Sequence, residues 1–85
     1  MPKVTIYTTR FCPYCIAAKR LLASKNVPFE EIDVGGRPEL REELRVKAGG
    51  SSTVPQIWIG HVHVGGCDDL YELDGAGRLD PLLAA

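Results

Sequence analysis

Apolar positions along this 85-residue chain follow two periods. Val4, Ile6 and Thr8 alternate with Thr5 and Tyr7, a β-branched run with the period of two that marks a strand. From Pro13 the period lengthens. Cys15, Ala18 and Leu22 recur at three- and four-residue intervals and Leu21 widens the stripe, so a core-facing helix is expected. Pro13 suits the first helical position, where no amide partner is lost. Asn26-Val27-Pro28 closes the segment, because the residue before a proline resists helical geometry.

Alternation returns from Phe29 to Val34, a second strand, and Gly35-Gly36 follows as a turn. Arg37-Pro38-Glu39 opens a second helix with Glu39, Glu42 and Glu43 early and Lys47 late, the polarity a helix dipole prefers. Leu40, Leu44 and Ala48 mark its buried side, and Gly49-Gly50 ends it. Pro55–Ile59 and His61–Val64 read as short strands around a tight hairpin at Gly60. Gly65-Gly66 breaks the sheet, Asp68 to Leu73 begins a third helix, and Asp74-Gly75-Ala76-Gly77 reads as a loop before a tail carrying Leu79, Leu82 and Leu83. The order β-α-β-α-β-β-α specifies an α/β domain. Its first crossover is right-handed between parallel strands, and its last two strands form an antiparallel hairpin. A four-stranded mixed sheet flanked by three or more helices on both faces is expected, as a single domain over residues 1–85, since two cores would not fit.

Charge and composition narrow the function. The net charge is −1, without the clustered basic excess that a nucleic-acid or acidic-membrane partner requires. No apolar run approaches the roughly 20 residues that span a bilayer. The chain enters its first strand directly, without an apolar signal core. Three cysteines make an odd and small set, unlike the even disulfide framework of a secreted miniprotein. A reducing, cytoplasmic location and a monomer are expected.

The chemistry concentrates in "RFCPYCIAAKR", Arg10 to Arg20. A structural zinc site needs four donors, and only Cys67, His61 and His63 could join Cys12 and Cys15. The two histidines instead read as one solvated strand face, so no metal site is expected. A permanent Cys12–Cys15 disulfide closes too small a loop to add much stability. A redox pair remains. Cys12 precedes a helix whose first amides, notably those of Tyr14 and Cys15, lack intrahelical partners, and the dipole favours negative charge there. The thiolate is the attacking species in disulfide exchange. Arg10 adds positive potential nearby. Cys15, one turn in and on the apolar side, should be buried and protonated. Cys12 therefore attacks and Cys15 resolves, with Pro13 stiffening the turn and Tyr14 exposing a ring beside the sulfur.

Two further motifs carry alternatives. In "SSTVPQIWIG", Pro55 is acceptable simply as a strand-entry residue; the functional reading is a cis Val54–Pro55 bond that presents the Val54 backbone to an extended peptide. In "GGCDDL", Asp68 and Asp69 read as ordinary capping, or as a cradle in which free amides take a carboxylate and an aspartate takes an ammonium. An α-amino-acid end would satisfy both.

CPYC, TVPQ and GGCDDL, in this order and spacing, resemble the glutaredoxin family over nearly the whole chain. The resemblance implies a thioredoxin-like fold and glutathione as co-substrate, with no tightly bound cofactor. It implies reduction of protein–glutathione mixed disulfides and disulfide-containing proteins. By it, Cys12 forms the mixed disulfide, Thr53 and Val54 hold the cysteinyl backbone beside Pro55, and Gly66, Cys67, Asp68 and Asp69 hold the γ-glutamyl end. Tyr14 packs on the tripeptide. Thr9 stands where relatives often carry lysine, so Arg10 is the candidate substitute. Arg41 is the candidate for the glycyl carboxylate, with Arg37 in reserve; a solvated helix charge is the alternative for each. Trp58 reads as core packing with a partly exposed edge. Cys67 reads as a small buried residue, with a second redox site as the alternative. Two rival functions are a glutathione-ligated [2Fe–2S] carrier, which Pro13 disfavours, and a donor fed by a flavoprotein reductase.

Overall fold

The structure is a computed structural model that describes residues 2–85. Its elements run β1 (Val4–Thr8), α1 (Pro13–Ser24), β2 (Glu30–Asp33), α2 (Pro38–Lys47), β3 (Gln56–Ile59), β4 (Val62–Gly65), α3 (Cys67–Gly75) and α4 (Leu79–Ala84). The strands form one mixed sheet in the order β2-β1-β3-β4. β1 pairs parallel with β2 and antiparallel with β3, and β3 pairs antiparallel with β4.

Alternation along the central strands sorts side chains to two faces. Val4 and Ile6 of β1 join Ile57 and Ile59 of β3 on one face, under Ala18, Leu21 and Leu22 of α1, Leu70 of α3, and Leu79 and Leu83 of α4. Trp58 points to the other face, where it meets Val34, just after β2, and Leu44 of α2, with Tyr7, Ile32 and Leu40 around them. Completely burying each such side chain contributes about 1.5–3 kcal/mol, so the larger cluster dominates stability. The sheet sits between helices on both faces, as the periodicity predicts.

Several boundaries differ from expectation. Phe29 and Val34 fall outside β2, though the buried Val34 still donates its amide to Thr8 O at 2.9 Å. Pro55 precedes β3. Ile59 pairs with Val62, so Gly60 and His61 together make a two-residue turn, with Gly60 at φ +60°. A glycine at the first central position with positive φ fits the strand twist. His61 thus leaves the strand, and the two histidines do not share a strand face. The third helix starts at Cys67 and runs through Gly75. Gly77, at φ +71°, is the stop, and Arg78 N–H returns to Leu73 O at 2.9 Å. The supposed tail is α4. Its Leu79 and Leu83 lie one turn apart and are both buried, a signal too short to declare a helix without the sheet it covers.

Candidate active site

Cys12 caps α1. Its extended backbone lets the sulfur accept the Cys15 amide at 3.2 Å, and Val54 O lies 4.0 Å from it. An N-cap acceptor of this kind satisfies an orphan donor at the positive end of the helix. The first turn of α1 holds no acidic residue. Cys12 is half-buried, whereas Cys15 is buried, and neither is in a disulfide. Burial pushes the Cys15 thiol up to about 12, helped by its hydrogen bond to Cys12 and by the Cys12 charge. The two sulfurs are thereby differentiated: one faces outward at a helix end, the other is held as a thiol.

Beside Cys12 lies a groove of about 240 Å³ built from three segments far apart in sequence. Tyr14 comes from α1, residues 53–56 from the entry to β3, and residues 66–69 from the start of α3. The Val54–Pro55 peptide bond is cis. Gly65, at φ +111°, turns the chain from β4 into α3, and a Cβ there would run into the Asp69 carboxylate. Asp69 Oδ2 accepts the Gly66 amide at 2.9 Å, the half of a capping box that a glycine cap allows. Asp68 stands exposed beside it. Cys67 is buried against the groove, and burial first, then the Asp68 and Cys12 charges, raise its thiol pKa.

Most of the residues singled out from sequence therefore meet here: Tyr14, Thr53, Val54, Pro55, Gly66, Cys67, Asp68 and Asp69 line the groove. The two arginines do not. Arg10 lies with its guanidinium carbon 5.9 Å from the centroid of the exposed Phe11 ring. Arg41 donates to Ser52 O at 3.0 Å from a neighbouring hollow shared with Arg37 and Arg45. Long side chains take their partners from tertiary neighbours, which no spacing reveals. Sequence reasoning also passed over Gln56. It is buried, lines the groove, and bonds both Thr53 and His63. A glutamine directly after Pro55 in an otherwise apolar strand was the available signal. Among the described residues, no three His, Cys, Asp or Glu side chains gather as a metal site.

A dithiol at a helix start, set against a proline-led strand on a four-stranded α/β sheet, defines a thiol–disulfide oxidoreductase of thioredoxin-like fold. The comparisons give the family. The glutaredoxin family model matches residues 4–64, and the chain belongs to the glutaredoxin family. It is 66% identical over 85 residues to a glutaredoxin of Pseudomonas aeruginosa, covering 100% of both chains. It is 55% identical over 83 residues to glutaredoxin 3 of Escherichia coli K12, covering 98% of this chain and 99% of that one. A crystal structure of a buckwheat glutaredoxin–glutathione complex superposes with a TM-score of 0.88 at 27% identity, covering 98% of this chain and 77% of the other. The family and fold support a glutathione-linked thiol oxidoreductase.

Proposed function

We propose that the protein reduces protein–glutathione mixed disulfides and protein disulfides, with Cys12 as nucleophile and glutathione as the electron source. The observation that carries this reading is the Cys15 amide donating to Cys12 Sγ at 3.2 Å on the rim of a groove. Negative charge on that sulfur is favoured by the helix end it caps.

In the monothiol branch the Cys12 thiolate attacks the glutathione sulfur of a mixed disulfide. The S–S bond breaks, the substrate leaves as a thiolate and takes a proton, and Cys12 is glutathionylated. A second glutathione thiolate attacks the glutathione sulfur of that adduct, forming glutathione disulfide and restoring Cys12. In the dithiol branch Cys12 attacks a protein disulfide, and Cys15 then attacks Cys12, its proton passing to the departing thiolate. The Cys12–Cys15 disulfide is reduced by two glutathiones. Once Cys12 is in a mixed disulfide, its charge and its hydrogen bond no longer hold the Cys15 proton, leaving burial alone to do so. The resolving thiol becomes more reactive at the step that needs it.

The groove suits glutathione chemically. The amides at the start of α3 can take a carboxylate and Asp68 an ammonium, so the γ-glutamyl end fits there, with the cysteinyl unit beside Thr53 and Val54 and under Tyr14, all of which line the groove. Arg41, with guanidinium hydrogens beyond the one given to Ser52, serves the glycyl carboxylate. Cycling thiols of this kind belong in a reducing compartment such as the cytoplasm. The test is turnover of a glutathionylated peptide by glutathione and glutathione reductase. Cys15→Ser should keep that activity and Cys12→Ser should lose it; an inactive Cys15→Ser protein with an intact fold overturns the monothiol branch.

A further inference from the structure

A chain of hydrogen bonds runs from the outer strand to the groove wall. His63 Nε2 lies 2.7 Å from Gln56 Oε1, Gln56 Nε2 donates to Thr53 Oγ1 at 3.1 Å, and Thr53 Oγ1 lies 2.9 Å from Ser51 Oγ. The His63 ring is stacked on Trp58, with centroids 4.4 Å apart and planes 14° apart, and Lys47 Nζ sits 4.4 Å from the Trp58 centroid. Trp58 and Gln56 are both buried. The stack limits where the imidazole nitrogen can sit.

We infer that His63 is a positioning residue for ligand binding: through Gln56 it makes the Thr53 hydroxyl a hydrogen-bond donor toward the groove. Counting protons gives the reason. A hydroxyl has one hydrogen and two lone pairs. Gln56 N–H fills one lone pair of Thr53. With the Ser51 hydroxyl donating to the other, one of the two directions open to that pair, the Thr53 hydrogen is left to donate to an anionic or carbonyl group of a ligand. This holds only while Gln56 turns its oxygen to His63, and that requires hydrogen on His63 Nε2. With hydrogen on Nδ1 alone, Gln56 would rotate its NH₂ toward His63 and its oxygen toward Thr53. Thr53 would then spend its hydrogen on Gln56 and show the groove a lone pair, which repels a carboxylate. The inference rests on the glutathione reading only for the identity of the ligand.

Two experiments test it. Long-range ¹H–¹⁵N correlation at a pH where the His63 ring is neutral should show Nε2 protonated; hydrogen on Nδ1 instead overturns the proposal whatever the protein's activity. Steady-state kinetics with a glutathionylated peptide and glutathione form the second. His63→Phe keeps an aromatic ring over Trp58 and removes the nitrogen. It should raise KM for glutathione about five-fold, the effect of one neutral hydrogen bond, with kcat unchanged. In a Gln56→Met background, where the relay is already cut, His63→Phe should change KM by less than two-fold. Equal effects of His63→Phe in both backgrounds, or an unchanged KM in the single variant, overturn the relay. Failure of the wild-type protein to use glutathione at all would defeat the proposed function, while the ring-nitrogen measurement would still judge the relay.

Discussion

Helices α1 and α3 both start at the same groove, with opposite first turns. The twelve-residue α1 has no acidic residue in its first turn, and the cap acceptor is the Cys12 sulfur. The nine-residue α3 starts from Gly66 and places Asp68 and Asp69 in its first turn, with Asp69 already bonded to the Gly66 amide. At α1 the positive end is answered by one sulfur, so any charge it attracts must reside there. At α3 the chain has supplied its own carboxylates, which leaves a mixed surface of amides and acid. The first suits a reacting anion; the second suits a zwitterion that must bind without reacting. The same dipole yields a nucleophile in one place and a cradle in the other because of what occupies the first turn.

Breaking the α1 side should have the largest effect. Cys12→Ser is expected to lower turnover of both glutathionylated peptides and protein disulfides by about 10³-fold or more, the scale of losing a covalent nucleophile; insulin reduction and peptide deglutathionylation read the two branches. Next comes Cys15→Ser, which should cost protein-disulfide reduction on the order of 10²-fold while deglutathionylation persists. Cys15 itself, held as a thiol by burial with a pKa of about 12, should react slowly with iodoacetamide at neutral pH. Because its anion is the disfavoured form, the rate should climb only in the alkaline range. A Cys12→Ser protein isolates the measurement and, lacking the Cys12 charge, should begin to climb at lower pH than the native thiol. Fast alkylation there at neutral pH would dissolve the contrast between the two sulfurs.

The α3 side should respond more modestly. Gly65→Ala forces a side chain into φ +111° and against the Asp69 carboxylate; about 1–3 kcal/mol of stability should be lost, read by urea unfolding. Asp68→Asn removes the charge offered to an ammonium and should weaken glutathione binding by roughly five-fold, near 1 kcal/mol for an exposed charge at a helix start. Isothermal titration in high salt should shrink that difference, because such exposed charges are screened. An effect of Asp68→Asn on kcat rather than on binding would place it on the reacting side and erase the division between the two helix starts.

The Cys12 arrangement was legible in sequence because it is local. A cap residue, Pro13 and the amide three residues on are bound to meet once α1 forms. The faces of β1 and α1 were legible for the same reason, since strand and helix periods alone assign them. Legibility failed where two similar signals compete. Of Gly75 and Gly77, only Gly77 takes positive φ and ends α3, and composition does not distinguish them. The contacts of Arg10 and Arg41 were not legible for a different reason. Each long side chain reached the partner that tertiary structure put nearest, the Phe11 ring and the Ser52 carbonyl.

What the residue order determined by itself is short-range: the strand and helix faces, the dithiol turn with its sulfur at a helix end, and the acids at the start of the last long helix. These depend on spacings of a few residues, where covalent geometry leaves little choice. Only the tertiary structure decided that residues 53–56 and 66–69 would stand against Tyr14 as one groove, and that His63, beside a one-residue irregularity in β4, would meet Gln56. Such meetings depend on sheet order and register, which are set by the burial of the whole core at once rather than by any one segment.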